Sequence, residues 1–251
     1  MLQRLINNIN NKKSLKSLLD DKNTALWQQL IKTENIKIVK GSFEAYGVFS
    51  KNNKHVIYTT GEFDPPSFTH ELLHIYLSQQ NVHIHGALTL QTYCDEDLRK
   101  IFSRDLLEHI SNNLNHAKMI PLFLDLGYNI EDFISDYYLN KGESEGLDLM
   151  IEYFCFEQNG KRIYLAKAID CYIGVYIAAR FCPNKNFNYS TLYNKLEQLD
   201  KELLMILNSF VENWNNYDYS DSLQSYQDIA TSFVISMSNW CRYKMIVEKV
   251  Y

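Results

Sequence analysis

The spacing of apolar side chains over the first 32 residues predicts two or three short helices. They recur every three or four positions, the period at which side chains share one face of an α-helix. The positions are Leu2, Leu5, Ile6, Ile9, Leu15, Leu18, Leu19, Leu26, Trp27, Leu30 and Ile31. From Ile36 the period changes, and three short segments rich in β-branched and aromatic residues follow, at Ile36–Val39, Phe43–Phe49 and His55–Thr60. With turn residues between them, they predict a small antiparallel meander.

The next segments predict helices. Asp64 followed by Pro65 and Pro66 is typical of a helix start, and the apolar residues beyond extend that helix to about Gln80. A second long helix is predicted from about Asp95 to Lys118, and Pro121 and Gly127 punctuate a third, short one.

The polar segment 141–146 is the predicted boundary before a helical C-terminal part. Beyond it, long helices rich in Tyr and Phe are predicted over 147–182, 189–213 and 221–250. We therefore expect an α+β, mainly helical protein. Its parts would be N-terminal helices at 1–35, a core over 36–140 and a helical subdomain over 147–251.

Composition and charge narrow the class of protein. With 46% hydrophobic residues, 9 Gly and 4 Pro in 251 residues, the chain has the composition of a folded domain. The formal net charge is −5 and no dense run of Lys or Arg occurs, so nucleic acid is not an expected partner. The 5 cysteines contain no C-x-x-C pair, which favours a reducing compartment.

The apolar segments predict neither export nor membrane insertion. The N-terminus turns polar after six residues, so no signal peptide is expected. The most apolar segment, 163–181, is interrupted by Lys167, Asp170 and Arg180 and predicts no membrane span. We therefore expect a cytoplasmic protein with no membrane partner, although an effector secreted without a cleaved signal would have the same pattern.

An H-E-x-x-H motif stands at His70-Glu71-x-x-His74, inside the helix predicted after Asp64. Histidines four residues apart lie on one helix face, so both imidazoles can bind one zinc ion. Glu71 lies about 100° around the helix, outside the ligand set but well placed for a water beside the metal. The pattern indicates metal-assisted hydrolysis with Glu71 as general base.

The surroundings of the motif favour this interpretation over a partly exposed helix with hydrogen-bonded histidines. The same helix is apolar nearly all round, at Phe68, Leu72, Leu73, Ile75, Tyr76 and Leu77. It is therefore expected to be buried, and buried polar side chains need partners. A metal ion would be one such partner.

The predicted helix from Asp95 to Lys118 has a polar stripe that could line a metal site. Five side chains fall within an arc of about 100°: Asp105, Glu108, His109, Asn112 and His116. A solvated charged face is the alternative interpretation. Glu108, His109 and His116 are the candidates for a third ligand.

The other histidines and the cysteines give weaker indications of a functional site. His83 and His85 could face one metal from a strand, but they directly follow a helix and more simply lie in a loop with no third ligand nearby. Apolar neighbours around Cys155 and Cys171 indicate core residues.

Over about Phe43–Asn140 the sequence resembles the HExxH zinc metallopeptidases, the zincins. The shared features are a short sheet with strand Val56–Thr60 at its edge, the motif helix, and a following helix that can supply a third ligand. Leu77 and Gln80 stand where the metzincins require Gly and His. Glu108-His109-x-x-Asn112 is similar to the pattern of the gluzincins, and the order of elements loosely resembles small bacterial metallopeptidases of the IrrE type.

The resemblance implies a zincin-like core, made of a short antiparallel sheet and the HExxH helix, with a C-terminal helical subdomain. It implies one Zn²⁺ per chain, bound by His70, His74 and Glu108, with Glu71 as general base. Glu108 is favoured as third ligand because a carboxylate leaves the site less cationic than three imidazoles would. His116 would be the hydrogen-bond donor to the oxyanion.

Three positions are left with supporting roles. His109 or a tyrosine is the alternative to His116 as oxyanion donor. Asn112 or Asp105 would hydrogen-bond the far nitrogen of a ligand histidine.

We therefore expect a metalloprotease whose protein or peptide substrate pairs with strand Val56–Thr60. One alternative is a binding or regulatory protein on a zincin scaffold, with a structural or absent metal. Another is a metal-dependent hydrolase of a non-peptide amide. Glu71 favours an enzyme, because a purely structural site has no use for a carboxylate beside an open coordination position.

Overall fold

Helices and two small sheets make up the protein in its computed structural model, which describes residues 7–8, 12–41, 44–60, 62–142, 145–221 and 225–248. The predicted mixed α+β, mainly helical class is confirmed. In chain order the elements are β1 (Asn7–Asn8), α1 (Lys12–Leu18), α2 (Thr24–Leu30), β2 (Asn35–Lys40), β3 (Gly47–Lys51), β4 (Lys54–Thr59), α3 (Pro65–Gln79), α4 (Ile84–Tyr93), α5 (Glu96–Ile101), α6 (Arg104–Asp125), α7 (Glu145–Tyr153), β5 (Cys155–Gln158), β6 (Lys161–Leu165), α8 (Ala166–Arg180), α9 (Ser190–Leu199), α10 (Lys201–Asn216), α11 (Tyr226–Cys241) and β7 (Met245–Val247).

The chain divides into two compact units, 1–81 with 118–137 and 82–117 with 138–251. Several positions used in the sequence analysis lie outside the described residues: Leu2, Leu5, Ile6, Ile9, Phe43, Glu143 and Ser144. Within the described ranges, no helix has the length and apolarity needed to span a membrane.

A four-stranded sheet lies in the first unit, in the order β1-β2-β4-β3. β3 and β4 pair antiparallel, but β2 and β4 pair parallel. The predicted antiparallel meander is therefore wrong, and so is the placement of strand Val56–Thr60 at an edge, because β4 lies between two other strands. Residue type and alternation indicate strands, but sheet order depends on pairing between distant segments.

His55 on β4 is buried, and its two ring nitrogens both have partners. Its Nε2 lies 3.0 Å from a carboxylate oxygen of Glu34, and its Nδ1 lies 2.8 Å from the Ser50 hydroxyl on β3. Buried polar groups are costly unless paired. These contacts therefore tie β4 to β3 and to the segment that leads into β2.

The second unit is mainly helical, with a three-stranded sheet in the order β5-β6-β7. α11 packs against α10, α4 and α5. The rings of Phe210 and Phe233 stack at 4.0 Å between their centroids in this core. The long helices predicted for this part are interrupted by the sheet, which the sequence analysis missed.

The predicted helix Asp95–Lys118 is divided in two. α5 ends at Ile101, and the Ser103 hydroxyl accepts a hydrogen bond from the Leu106 N–H at the start of α6. α6 then continues through Pro121, where a break was predicted, to Asp125, and Gly127 follows with φ of 89°. α6 is thus one uninterrupted helix from Arg104 to Asp125.

Candidate metal centre

The motif lies in the middle of α3, a helix fixed by its own sequence. The Asp64 side chain accepts a hydrogen bond from the Ser67 N–H at 3.1 Å, and two prolines occupy the first turn, as predicted. Phe68, Leu72 and Ile75 are completely buried. Packing of these side chains leaves little freedom for the helix to rotate and so fixes the direction of the motif side chains.

The imidazoles of His70 and His74 face each other. Their Nε2 atoms are 3.2 Å apart, and the His70 Nδ1 lies 2.9 Å from the backbone carbonyl oxygen of Phe133. Because that carbonyl can only accept, Nδ1 bears the proton and the Nε2 lone pair of His70 points to His74. Two nitrogens that bind one tetrahedral zinc at roughly 2.0–2.1 Å lie about 3.3 Å apart, close to the observed separation.

Burial sets the charge of both histidines. It lowers the pKa of His70 to about 4 and the pKa of His74 to about 3, with repulsion from His70 as a second cause for His74. Both side chains are therefore neutral near pH 7. Neutral imidazole is the form that binds a metal ion.

Glu71 is a buried carboxyl group next to this pair in the chain. Its exposed fraction is 6%, and burial alone raises its pKa to about 8. A divalent cation nearby would oppose this rise, because an opposite charge favours the ionised form. The donor set therefore suits a cation, which would relieve the cost of burying the carboxylate.

His116 is the third histidine of the cluster. One nitrogen from each of His70, His74 and His116 lies within 4.8 Å of the other two, and all three residues are half-buried. Among the described residues this is the group that could hold a metal ion.

Glu108, the expected third ligand, is not in this cluster. It lies on the exposed surface of α6, where its Oε1 accepts a hydrogen bond from the Arg104 Nε at 2.8 Å. His116 stands eight positions after Glu108, which is about 12 Å along a helix axis. The third histidine beside His70 and His74 is therefore His116, and Glu108 lies apart from these residues.

Other candidates of the polar stripe also lie elsewhere. The His109 Nε2 is 3.1 Å from the carbonyl oxygen of Gly174 in the second unit. Asp105 and Asn112 are exposed. The Nδ1 of His70, the ring nitrogen that does not face His74, is hydrogen-bonded to the main-chain carbonyl of Phe133. No sequence pattern predicts this partner, because every residue has a main-chain carbonyl group.

His85 lies in the first turn of α4, not in the predicted loop, and His83 precedes that helix. The His85 Nδ1 is 3.2 Å from the Ser111 hydroxyl, which itself donates to the Leu107 carbonyl. These contacts account for His85 as part of the packing of α4 against α6.

A buried hydrogen-bond network supports α3 directly before the motif. The Thr69 hydroxyl donates to the Pro65 carbonyl, accepts from the Asn23 amide at 3.0 Å and lies 3.1 Å from the Tyr128 hydroxyl. Tyr128 in turn donates to the Asp20 carboxylate, at 2.8 Å from each oxygen. The network joins α3 to the N-terminal helices and to the segment after α6, which also contains Phe133.

The arrangement as a whole offers three nitrogen donors and one carboxylate that is outside the cluster. Such a set suits a divalent ion with a remaining open position better than a closed structural site with four protein ligands. No family model, no curated protein and no solved structure matches the chain significantly.

Proposed function

We propose that the protein is a zinc-dependent peptidase with a zincin-like core. The observation that supports this most is the pair of facing Nε2 atoms of His70 and His74, with His116 beside them and Glu71 on the same buried helix. Imidazole nitrogens are typical zinc ligands, and three of them leave a coordination position for water or substrate. One zinc ion per chain is proposed.

His70, His74 and His116 would hold the ion, and zinc, when bound, supplies a Lewis acid that makes water more acidic and polarises a carbonyl group. Glu71 accepts the proton of the attacking water and returns it to the leaving amine. The hydrogen bond from the His70 Nδ1 to the Phe133 carbonyl leaves the His70 Nε2 unprotonated, which is the tautomer that can bind the ion through Nε2. A histidine that holds the ion cannot also donate to the oxyanion, so the role first expected for His116 changes.

This ligand set departs from the gluzincins, which use a glutamate where His116 is proposed here. The features that the protein still shares with the zincins in this proposal are the HExxH helix and its glutamate as general base. The proposed substrate is a protein or peptide. The cytoplasmic location and the lack of a nucleic-acid partner stay predictions.

Substitution of Glu71 distinguishes a zinc enzyme from a protein that only binds zinc. Glu71→Gln preserves the size of the side chain but removes the base, so the variant should bind one zinc ion and fail to cleave a proteome-derived peptide library. His74→Ala should lose both zinc and cleavage. Cleavage by Glu71→Gln at the wild-type rate, or a wild-type protein that takes up no zinc on reconstitution, would overturn the proposal.

A further inference from the structure

A cavity of about 470 Å³ lies wholly within the second unit, between the end of α8 and the start of α9. The connecting segment 181–189 forms much of its wall. The volume falls in the range of small-molecule sites. None of its residues belongs to the histidine cluster.

The charge of the cavity is positive. Arg180 and Lys185 both line it, and none of the described residues in its lining is acidic. Neither cation forms an ion pair with a described residue. Both side chains are exposed, so an anion in solution can reach them.

The wall is also aromatic. Phe187 and Tyr189 have ring centroids 6.3 Å apart, and Tyr189 and Tyr193 have centroids 6.4 Å apart. Burial raises the pKa of Tyr193, and the positive charge of Arg180 opposes this rise. A guanidinium group and three aromatic side chains therefore line the same cavity.

The connecting segment is held in shape by its own hydrogen bonds. The Asn184 and Asn188 side chains accept from the N–H groups of Asn186 and Ser190, at 3.1 and 2.9 Å. The Lys185 ammonium donates to the Cys182 carbonyl at 3.2 Å, which leaves it two further N–H donors. Lys185 is thus held by a loop that its own hydrogen bonds shape, and Arg180 stands at the end of helix α8, which lowers the entropic cost of binding.

We propose that this cavity binds an anionic aromatic small molecule, in the size class of a nucleoside monophosphate. The phosphate would contact Arg180 and Lys185, since a planar guanidinium and an ammonium are the usual protein partners of phosphate. The aromatic ring would pack against Phe187 and Tyr193. This site is independent of the proposed zinc chemistry.

Calorimetric titration of the full-length protein with three probes tests the proposal: adenosine 5′-monophosphate, adenosine and inorganic phosphate. The monophosphate should bind more tightly than either of the others, and its affinity should fall as salt concentration rises. Arg180→Gln and Lys185→Gln should each weaken it about tenfold or more. Phe187→Ala should weaken the monophosphate and leave phosphate binding unchanged.

Lys195→Gln is the matched control, because Lys195 is an exposed lysine on α9 outside the cavity lining, and it should bind the monophosphate as the wild type does. The absence of saturable binding at millimolar monophosphate would overturn the proposal. Equal affinity for adenosine would contradict the role of the cations, and equal affinity for inorganic phosphate would contradict the role of the rings.

Discussion

At the scale of single residues, the histidine pair has His116 beside it and not Glu108, which departs from the expectation based on the gluzincins. His116→Ala removes a nitrogen of the cluster and should lower zinc affinity by a factor of at least about 100. Glu108→Ala removes only an exposed ion pair with Arg104 and should bind zinc as the wild type does. Competition with a chelator of known affinity measures both.

The reverse result would restore the original assignment. If Glu108→Ala releases zinc while His116→Ala retains it, Glu108 is the third ligand and the ligand set is that of the gluzincins. If both variants retain zinc, the third ligand lies outside these two residues.

Tyr128 offers a second test, on stability. Its hydroxyl donates to a carboxylate in a buried network, and hydrogen bonds to charged groups contribute roughly 1.5–3 kcal/mol. Tyr128→Phe should therefore lower the free energy of unfolding by about 2 kcal/mol in urea denaturation. Tyr243→Phe, at a side chain 90% exposed, should change it by less than about 0.5 kcal/mol. Equal stability of both variants would show that the network contributes little.

The residues that the sequence identified are those whose geometry is local. His70 and His74 share a helix face because they are four positions apart, and no information from elsewhere in the chain is needed. Phe133 lies 63 positions after His70, and the position of His116 depends on how α6 packs. A one-dimensional pattern cannot select among Glu108, His109 and His116, since all three lie on the same polar stripe.

At the scale of elements, the sheet order changes the expected substrate-binding strand. β4 is paired on both sides, whereas β3 is an edge strand whose Phe49, Ser50 and Lys51 side chains are exposed. An edge strand presents unpaired backbone groups to which an extended peptide can add. We therefore expect the substrate to pair with β3 and not with Val56–Thr60.

Hydrogen exchange on the Glu71→Gln variant can measure this. When a saturating peptide substrate is added, amides of β3 should exchange more slowly, and amides of β2 should keep their exchange rates. Protection that appears elsewhere while β3 exchanges as before would exclude pairing at this edge.

Elements with local signals were predicted well, and those that depend on distant pairing were not. α3 was placed correctly from Asp64, Pro65 and Pro66, because capping involves neighbouring residues. The hairpin β5–β6 was missed, although Asn159-Gly160 at its turn, with φ of 53° and 72°, is a strong hairpin signal. The apolar residues on both sides were interpreted as one helix because short apolar runs fit either period.

At the scale of the whole molecule, the two units are built from interleaved segments. Residues 118–137 belong with the first 81 residues, and residues 82–117 belong with 138–251. The division into parts 1–35, 36–140 and 147–251 stays a prediction. Changes in composition along the chain can indicate boundaries between consecutive segments. They cannot show that a later segment, such as 118–137, packs with an earlier one, because that depends on contacts between residues distant in sequence. Glu143 and Ser144 of the expected boundary lie outside the described residues.

Zinc binding should stabilise the whole fold. A ligand that binds only the native state adds about 2.7 kcal/mol at a concentration 100 times its Kd. Thermal unfolding of the wild type and of Glu71→Gln should therefore shift to higher temperature with zinc, and a chelator should reverse the shift. His74→Ala should show no shift, and a shift of wild-type size in that variant would mean that zinc binds elsewhere.

The role of Glu71 as the base of a peptidase is tested most sharply by comparing new protein N-termini in cells that express the wild type with those in cells that express Glu71→Gln at equal levels. A peptidase that uses Glu71 as its base should generate a set of new N-termini in the wild-type cells that is absent with the variant. Identical sets in the two cell lines, with zinc bound to both proteins, would contradict the account.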